Sequence, residues 1–341
     1  MARVGVMGAT GLVGSEMLRI LEEHNVLVDE LRVYTSERSA GKQLSFAGDA
    51  VTCQVLTPHC FDGLDLVIVD VDDPIALEWA PIAVASGARV IDNSAAFRMD
   101  PDVPLVVAEV NPGDLAEMRR GIVSCPNCTT MVMLTALAPL HAEAQLTRLV
   151  VSTYQSVSGA GQAGIAELDA QWRAGVGQIE RYSHAGTIDG AVAGGDVWDR
   201  AIAGNVIPLA GSRNNAGYTS EEWKLVYETR KILHEPELGV TATCVRVPVF
   251  VGHALSINAT FAHPLTAADA CALLADAPGV ELIANGDGAP TPMEAAGGDP
   301  VLVGRVREDQ SLPGALNLWV TGDNLRKGAA LNAVQLAELL A

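Results

Sequence analysis

The N-terminal segment constrains the fold more than any other part of this chain. Val4–Met7 is a short run rich in β-branched residues, and Leu12–His24 has the apolar spacing of a helix. The glycine-rich segment GATGLVG at 8–14 joins them. In such a turn the backbone can approach a pyrophosphate closely, and the helix N-terminus offers it free N–H groups. Steric needs alone also place glycines in tight turns, and the spacing is GxxGxxG rather than the commoner GxGxxG. The context favours dinucleotide binding by Gly8, Thr10, Gly11, Leu12, Val13 and Gly14.

Strand and helix patterns alternate through the first third of the chain. Further short strands are predicted at Leu31–Tyr34, Leu66–Val71, Arg89–Ile91 and Leu105–Val107, with a helix at Ile75–Ala85. This alternation predicts a parallel sheet with helices on both faces.

The middle of the chain has longer strand patterns, at 147–157, 240–247 and 254–261, which predict an antiparallel sheet in a second domain. A helical stripe at 324–341 is expected to pack back onto the first domain. We therefore predict an α/β fold. Residues 1–131 and 324–341 would form a Rossmann-type dinucleotide-binding domain, and residues 132–323 an α+β domain with a mainly antiparallel sheet.

Charge and composition exclude several classes of partner. The 22 Lys and Arg residues against 41 Asp and Glu residues give a net charge of −19, which would repel nucleic acid and anionic membranes. Gly121–Ala142 is uncharged and long enough to span a bilayer, but its prolines and polar residues favour a buried strand, turn and helix. No targeting segment is recognisable, so we expect a cytoplasmic protein. Six cysteines with one CxxC pair predict free thiols and no metal site.

The end of the second predicted strand bears on the choice between NAD and NADP. An acidic residue there would bind the ribose hydroxyls, whereas an arginine would accept the additional phosphate of NADP. Ser36, Arg38 and Ser39 could cradle that phosphate, whereas Glu37 favours NAD. A solvated turn with a charged pair is the alternative without a ligand. We predict NADP.

Cys128 is the candidate nucleophile. Asn127 and the two threonines after Cys128 indicate a helix start, where free N–H groups and the helix dipole would favour a thiolate. A buried structural cysteine is the alternative, and local chemistry does not decide between the two.

Ordered motifs extend over nearly the whole chain. They are GATGLVG at 8–14, SERSAG at 36–41, DNSAAFRMDPDVPLVVAEVN at 92–111, PNCTTM at 126–131, TYQSVSGAG at 153–161, SEEWKLVYETRKIL at 220–233, CVRVPVFVGH at 244–253 and DNLRKGAALNAVQLAE at 323–338. In these the chain resembles the aspartate-semialdehyde dehydrogenase family. The resemblance implies a two-domain enzyme, usually a homodimer or tetramer, that reduces 4-phospho-L-aspartate with NADPH to the semialdehyde and phosphate. This step feeds lysine, threonine and methionine synthesis.

The resemblance also implies roles for individual residues. Cys128 would expel phosphate and become a thioester, with Asn127 beside it. His253 would be the general acid/base, which suits an imidazole titrating near neutral pH. Gln155 would orient the reacting group. The resemblance further implies cofactor contacts by Ser158, Gly159 and Asn324.

An acyl phosphate bearing a carboxylate needs cations in a protein of this charge. The resemblance makes Arg98 and Lys224 phosphate ligands and Arg246 the ligand of the α-carboxylate, and it assigns the α-amino group to Glu221. Thr219 and Glu222 fit a capping box, which would place Glu221 and Lys224 in the first turn of a helix. A solvated ion pair is the alternative for these two residues.

Two departures from the family pattern bear on function. The carboxylates of Asp70, Asp72 and Asp73 would weaken cofactor binding if they faced the pyrophosphate. Cys125 replaces the usual Asn and creates a CxxC with Cys128. A reversible disulfide between the two is a hypothesis, opposed by the difficulty of closing a CxxC at a helix start.

Two other functions are alternatives. N-acetylglutamyl-phosphate reductase uses similar chemistry on a longer, N-blocked substrate, but Glu221 would then lack an ammonium group to bind. The second alternative is a catalytically silent paralogue that binds a nucleotide or a partner. The presence of both Cys128 and His253 argues against it.

Overall fold

The part of the chain that the structure describes folds around two β-sheets. A computed structural model describes residues 2–24, 28–178, 180, 194–214, 216–284 and 288–341. Within these residues, no helix combines the length and the apolar character needed to cross a bilayer. The described helices of at least one α-turn are Leu12–Glu23 (α1), Asp73–Ala85 (α2), Cys128–Ala144 (α3), Gly161–Gly175 (α4), Ser220–Ile232 (α5), Ala267–Ala275 (α6), Pro292–Ala295 (α7) and Leu331–Leu340 (α8).

The first sheet consists of Ala2–Met7 (β1), Val28–Tyr34 (β2), Gln43–Phe46 (β3), Asp49–Gln54 (β4), Leu66–Val69 (β5), Arg89–Asp92 (β6) and Ile122–Ser124 (β7). Their spatial order is β3-β4-β2-β1-β5-β6-β7, and all neighbours are parallel except the β3–β4 hairpin. Every residue of β5 is buried, as expected for a parallel strand covered on both faces.

Helices cover both faces of this sheet, as the alternating pattern predicted. On one face, α1 and α8 share a core with β1 and β5, to which they contribute Ile20 and Val334. On the other face, Ala76, Ala80 and Ala83 of α2 pack against Val67 and its neighbours. Helix α8 follows a π-helical turn at Arg326–Ala330, so the regular α-helix begins at Leu331 rather than near the predicted residue 324.

The second sheet consists of Leu146–Gln155 (β8), Gly239–Arg246 (β9), His253–Phe261 (β10), Val280–Leu282 (β11), Val301–Glu308 (β12) and Ala315–Gly322 (β13). Their spatial order is β11-β12-β13-β10-β8-β9. The three central pairings are antiparallel, as predicted, whereas the outer strands β9 and β11 pair parallel to their neighbours.

Helix α3 covers one face of the second sheet. Its side chains are buried on nearly all sides, and Leu137 and Leu140 share a core with Leu255 and Leu318. On the opposite face, Tyr154 is 37% exposed and its ring lies 5.3 Å from that of Trp319.

One predicted strand, Leu105–Val107, is wrong. Only Leu105 pairs, as an isolated bridge to Ser124. The side chain of Asn111 occupies the backbone groups that a strand would need: it accepts from the N–H of Val107 at 2.9 Å and donates to the carbonyl of Leu105 at 2.9 Å. A polar side chain that bonds the backbone locally competes with strand pairing.

Candidate active site

The glycine-rich segment forms the turn between β1 and α1. Gly8 has φ +85°, and a Cβ there would lie 2.0 Å from the carbonyl oxygen of Asp70, so only glycine fits. A Cβ on Gly14 would lie 2.3 Å from the carbonyl oxygen of Gly8. Gly11 caps α1 without a side-chain hydrogen bond, which leaves the N–H groups of Leu12 and Val13 available to an anionic ligand, whereas the N–H of Gly14 faces the carboxyl of Asp70.

A cleft of about 660 Å³ opens above this turn. Nine of the twelve predicted cofactor residues line it: Gly8, Thr10, Gly11, Leu12, Val13, Ser36, Ser158, Gly159 and Asn324. The other three do not. Gly14 packs against the backbone of Gly8, and Ser39 is buried. Arg38 is exposed in a 3₁₀ turn beside Ser36. These three residues therefore lie outside the cleft lining.

Two of the three carboxylates after β5 face the cleft. Asp70 and Asp72 line it, whereas Asp73 accepts a hydrogen bond from the N–H of Ala95 at 2.8 Å. Asp70 accepts from Nδ2 of Asn93 at 2.8 Å, and burial raises the pKa of its carboxyl to about 6.

Cys128 is the first residue of α3, and the predicted helix start is confirmed. Asn127 caps the helix, with its Oδ1 accepting from the N–H of Thr129 at 3.0 Å. Burial and the nearby Glu221 raise the pKa of the Cys128 thiol to about 11, although Arg246, Lys224 and Arg98 lower it. The expected lowering of the thiol pKa at the helix start is therefore wrong, because desolvation and Glu221 outweigh the three cations.

His253 begins β10 and is fully buried. Its Nδ1 accepts from the backbone N–H of Ser156 at 3.1 Å, so the neutral ring carries its proton on Nε2. Burial and Arg246 lower the pKa of His253 to about 3, and the expectation of titration near neutral pH is wrong. Nε2 has no hydrogen-bond partner among the described residues. It faces Gly159, where a Cβ would lie 3.3 Å from it.

The C-terminal segment supports this histidine through Asn324. Its Oδ1 accepts from the hydroxyl of Ser156 at 2.9 Å and from the N–H of Gly252 at 2.9 Å, and its Nδ2 donates to Ser158 Oγ at 3.0 Å. Sequence reasoning missed Ser156, because a serine within a strand-to-turn motif carries no chemical signal until its partner is known.

A second cleft of about 650 Å³ meets the first one at Asn127, Cys128 and Gly159, which line both. The predicted substrate residues Glu221, Lys224 and Arg246 line the second cleft together with Gln155. The thiol of Cys128 therefore lies where the two clefts join.

Glu221 is the polar centre of the second cleft. The predicted capping box of Thr219 and Glu222 is confirmed, and it places Glu221 in the first turn of α5. Glu221 accepts from Lys224 Nζ at 2.6 Å, from Asn127 Nδ2 at 3.0 Å and from Gln155 Nε2 at 3.4 Å. Burial raises the pKa of Glu221, but Lys224 and its other donors outweigh it and the net shift is downward.

The two arginines present their guanidinium groups differently. Arg246 donates from one Nη to the carbonyl of Ser156 at 2.6 Å, and its buried Nε has no partner among the described residues. Arg98 lines the first cleft and pairs with Glu228 at 3.0 Å. The structure thus brings Lys224 and Arg246 into the second cleft, whereas Arg98 lines only the first.

Comparison with known proteins agrees with this architecture. The family model described as "Semialdehyde dehydrogenase, NAD binding domain" matches residues 3–118, and "Semialdehyde dehydrogenase, dimerisation domain" matches residues 137–327. An aspartate-semialdehyde dehydrogenase of Streptomyces akiyoshiensis is 51% identical, over 99% of this chain and 98% of that protein. The chain belongs to the aspartate-semialdehyde dehydrogenase family. It is thus an oxidoreductase with an NAD-binding domain of the Rossmann type and a dimerisation domain.

Solved structures of aspartate-semialdehyde dehydrogenases share the whole fold. Aspartate semialdehyde dehydrogenase II from Vibrio cholerae, complexed with ASA, is 43% identical with a TM-score of 0.93, over 100% of this chain and 98% of that one. The enzyme from Candida albicans with NADP is 25% identical with a TM-score of 0.73, over 100% and 98% of the two chains.

In this family member, the second cleft has a further wall that sequence reasoning missed. It consists of Val197, Trp198, Asp199, Ile207 and Leu209. These residues lie between the recognised motifs, and four apolar side chains and one aspartate in a connecting segment give no sign of a pocket.

Proposed function

We propose that this chain catalyses the reversible, NADPH-dependent reduction of 4-phospho-L-aspartate to L-aspartate 4-semialdehyde and phosphate through a thioester on Cys128. The observation that carries the proposal is the position of Cys128, at the junction of a nucleotide-sized cleft and a cleft lined by Glu221, Lys224 and Arg246. A thiol with a cofactor on one side and an amino-acid pocket on the other suits acyl transfer followed by hydride transfer.

The first step forms the thioester. The sulfur of Cys128 attacks C4 of the substrate, the bond from C4 to the phosphate oxygen breaks, and the thiol proton leaves with the phosphate. Arg98, Lys224 and Arg246 each favour the thiolate, and Arg98 and Lys224 would hold the phosphate. Glu221 would bind the α-amino group and Arg246 the α-carboxylate, for which the unpartnered Nε and the planar fork suit a bidentate contact.

The second step reduces the thioester to the aldehyde: its carbonyl carbon gains a hydride, and the C–S bond then breaks, with the electron pair returning to the sulfur of Cys128. NADPH supplies the hydride when bound beside Cys128. His253 is buried and lines neither cleft, but its Nε2–H lies next to Gly159, which lines both, and from there it would donate a hydrogen bond to the oxygen that becomes negative as hydride arrives. Gln155 would orient the same group. The proton transfer that the resemblance assigns to His253 stays a prediction.

For the cofactor, we favour NADP over NAD. Arg38 is exposed beside the cleft-lining Ser36, where it can reach a 2′-phosphate, and the Candida albicans relative was solved with NADP. Ser39 is buried outside the cleft lining, so the proposed contact involves Ser36 and Arg38. The N-terminus of α1, which has no side-chain cap, and the tight turn at Gly8 would accommodate the pyrophosphate of the cofactor.

We further propose a homodimer or tetramer in the cytoplasm. The open face of the second sheet, with Tyr154 and Trp319, lies in the part matched by the dimerisation model. All six cysteines are free thiols, which suits a reducing compartment. For the domains, we propose residues 1–131 with 324–341 and residues 132–323.

One assay tests the proposed function. The wild type should reduce NADP with L-aspartate 4-semialdehyde only when phosphate is present, and Cys128→Ala should abolish this activity. N-acetylglutamate 5-semialdehyde serves as the competing substrate. Turnover of that aldehyde alone, or of neither aldehyde, would contradict the proposal.

A further inference from the structure

Helix α5 carries a row of charged residues on a face that points into the protein. Glu221, Lys224 and Glu228 follow one another at spacings of three and four residues and therefore share one face. Such a face is normally apolar when it is buried. Glu228 is nevertheless only 2% exposed, and none of the cofactor or substrate roles above involves it.

The two carboxylate oxygens of Glu228 bind two different parts of the site. Oε1 accepts from Nη1 of Arg98 at 3.0 Å, and Oε2 accepts from the backbone N–H of Asn127 at 2.7 Å. Asn127 immediately precedes Cys128 and caps its helix. One buried carboxylate therefore joins the Arg98 guanidinium to the turn that carries the nucleophile.

Among the described residues, Glu228 is the only acidic residue at salt-bridge distance from Arg98. The other acceptors of the Arg98 guanidinium are backbone carbonyls. Its Nε donates to the carbonyl of Ser94 at 2.9 Å and an Nη to that of Asn93 at 3.1 Å. Both acceptors belong to the segment that carries Arg98 itself. The link from this segment's guanidinium to the nucleophile turn thus passes through Glu228.

We propose that Glu228 is a positioning residue that fixes Arg98 relative to the sulfur of Cys128. This inference rests on the proposed function, in which Arg98 holds the phosphate of the substrate while Cys128 attacks its C4. Both groups must meet one acyl phosphate, and an error of about 1 Å in such a geometry costs on the order of 100-fold in rate.

Lys231 shows that α5 anchors the same segment at a second point. Its Nζ donates to three backbone carbonyls of the Arg98 segment, at 2.7, 2.7 and 2.8 Å, which belong to Arg98, Asp100 and Val103. Among the described residues, the Lys231 side chain hydrogen-bonds only the backbone of the Arg98 segment, whereas Glu228 bonds both that segment and the nucleophile turn. We therefore expect the geometric effect to be specific to Glu228.

The test compares Glu228→Gln with Glu222→Gln. Glu222 is a matched control on the same helix: it is 7% exposed and accepts two backbone N–H bonds, from Cys244 at 3.0 Å and Thr219 at 2.8 Å. A glutamine at 228 cannot accept from both of its partners through two oxygens. Because hydrogen bonds to charged groups are the stronger ones, we expect the phosphate KM to rise about tenfold or more and kcat to fall.

A double-mutant cycle with Arg98→Lys separates positioning from general support of the fold. If Glu228 acts through Arg98, E228Q has a much smaller effect on the phosphate KM in the R98K background than in the wild type. If the fold-changes in the phosphate KM caused by E228Q and R98K simply multiply in the double variant, the inference is overturned. It is also overturned if E228Q has the same kinetics as E222Q at a similar thermal midpoint.

A measurement without substrate keeps the inference testable if the proposed function fails. Alkylation of Cys128 by iodoacetamide, followed by peptide mapping, should be slower in E228Q than in E222Q, because Arg98 lowers the pKa of the Cys128 thiol and is no longer held in its fixed position by the Glu228 carboxylate. Equal rates in the two variants would count against Glu228. If E228Q does not fold, Glu228→Asp takes its place in the kinetic cycle, since its shorter side chain cannot reach both partners.

Discussion

Gly328→Ala offers a sharp test of how closely the nucleophile is packed. Gly328 lies in the π-helical turn before α8, and a Cβ built there would lie 2.8 Å from Cβ and 3.3 Å from Cα of Cys128. Its backbone is outside the left-handed region, so alanine is compatible with the local conformation. The collision with Cys128 is thus the direct effect of the substitution.

The size of the effect follows from the contact distance. Carbon atoms prefer a separation of about 3.5–4.0 Å, so the two chain segments must move apart by roughly 1 Å. Neither Cβ nor Cα of Cys128 can rotate away. Overpacking of this kind costs about 1–3 kcal/mol in stability. The resulting shift of the sulfur should lower kcat about 100-fold.

The assay is phosphate-dependent NADP reduction with L-aspartate 4-semialdehyde, with the thermal midpoint measured in parallel. Gly113→Ala is the control, because Gly113 is exposed and a Cβ there meets nothing within 4 Å. We expect the control to retain wild-type kinetics. A Gly328→Ala enzyme that keeps its kcat within about twofold would refute the argument that the C-terminal turn fixes the nucleophile.

Three further predictions concern buried ionisable groups. The pKa of Asp70 is about 6 in place of the ordinary 3.8, so its carboxyl is protonated at pH 5 and ionises as the pH rises through 6. Asp70→Asn should therefore tighten NADPH binding at pH 8 more than at pH 5, in a fluorescence titration; an equal gain at both values would show that the charge is not responsible. Lys327 is fully buried against Glu109, and Lys327→Met should destabilise the protein by about 3–5 kcal/mol in urea unfolding, partly reversed by adding Glu109→Gln. No recovery in the double variant would indicate a packing defect instead. Because Cys125 is fully buried and burial raises its pKa to about 12, Cys125→Asn should leave the recovery of peroxide-treated enzyme by dithiothreitol unchanged, and loss of that recovery would establish a disulfide with Cys128.

The sequence predicted those features that depend on local periodicity or on a short motif. The strand, glycine turn and helix at the N-terminus, the capping box at Thr219 and the helix start at Asn127 all depend on residues that are close along the chain. The helices on both faces of the first sheet followed from the alternating pattern. The structure bears out these elements because their signals lie in short, contiguous stretches of the chain.

Features that depend on burial were not predictable in the same way. The pKa values of Cys128 and His253 shift away from the expected directions because both groups are desolvated, and desolvation depends on how distant segments pack. Leu105–Val107 fails as a strand because Asn111 bonds its backbone. Glu228 and Arg98 are 130 residues apart, and no pattern in the amino-acid sequence indicates that their side chains pair.

Asn324 and Gly328 tie one short segment to the surroundings of two reactive side chains. Asn324 braces the serine beside His253, and Gly328 abuts Cys128. A substitution that loosens the π-helical turn of this segment would therefore disturb the surroundings of both side chains at once, although it leaves Cys128 and His253 themselves unchanged.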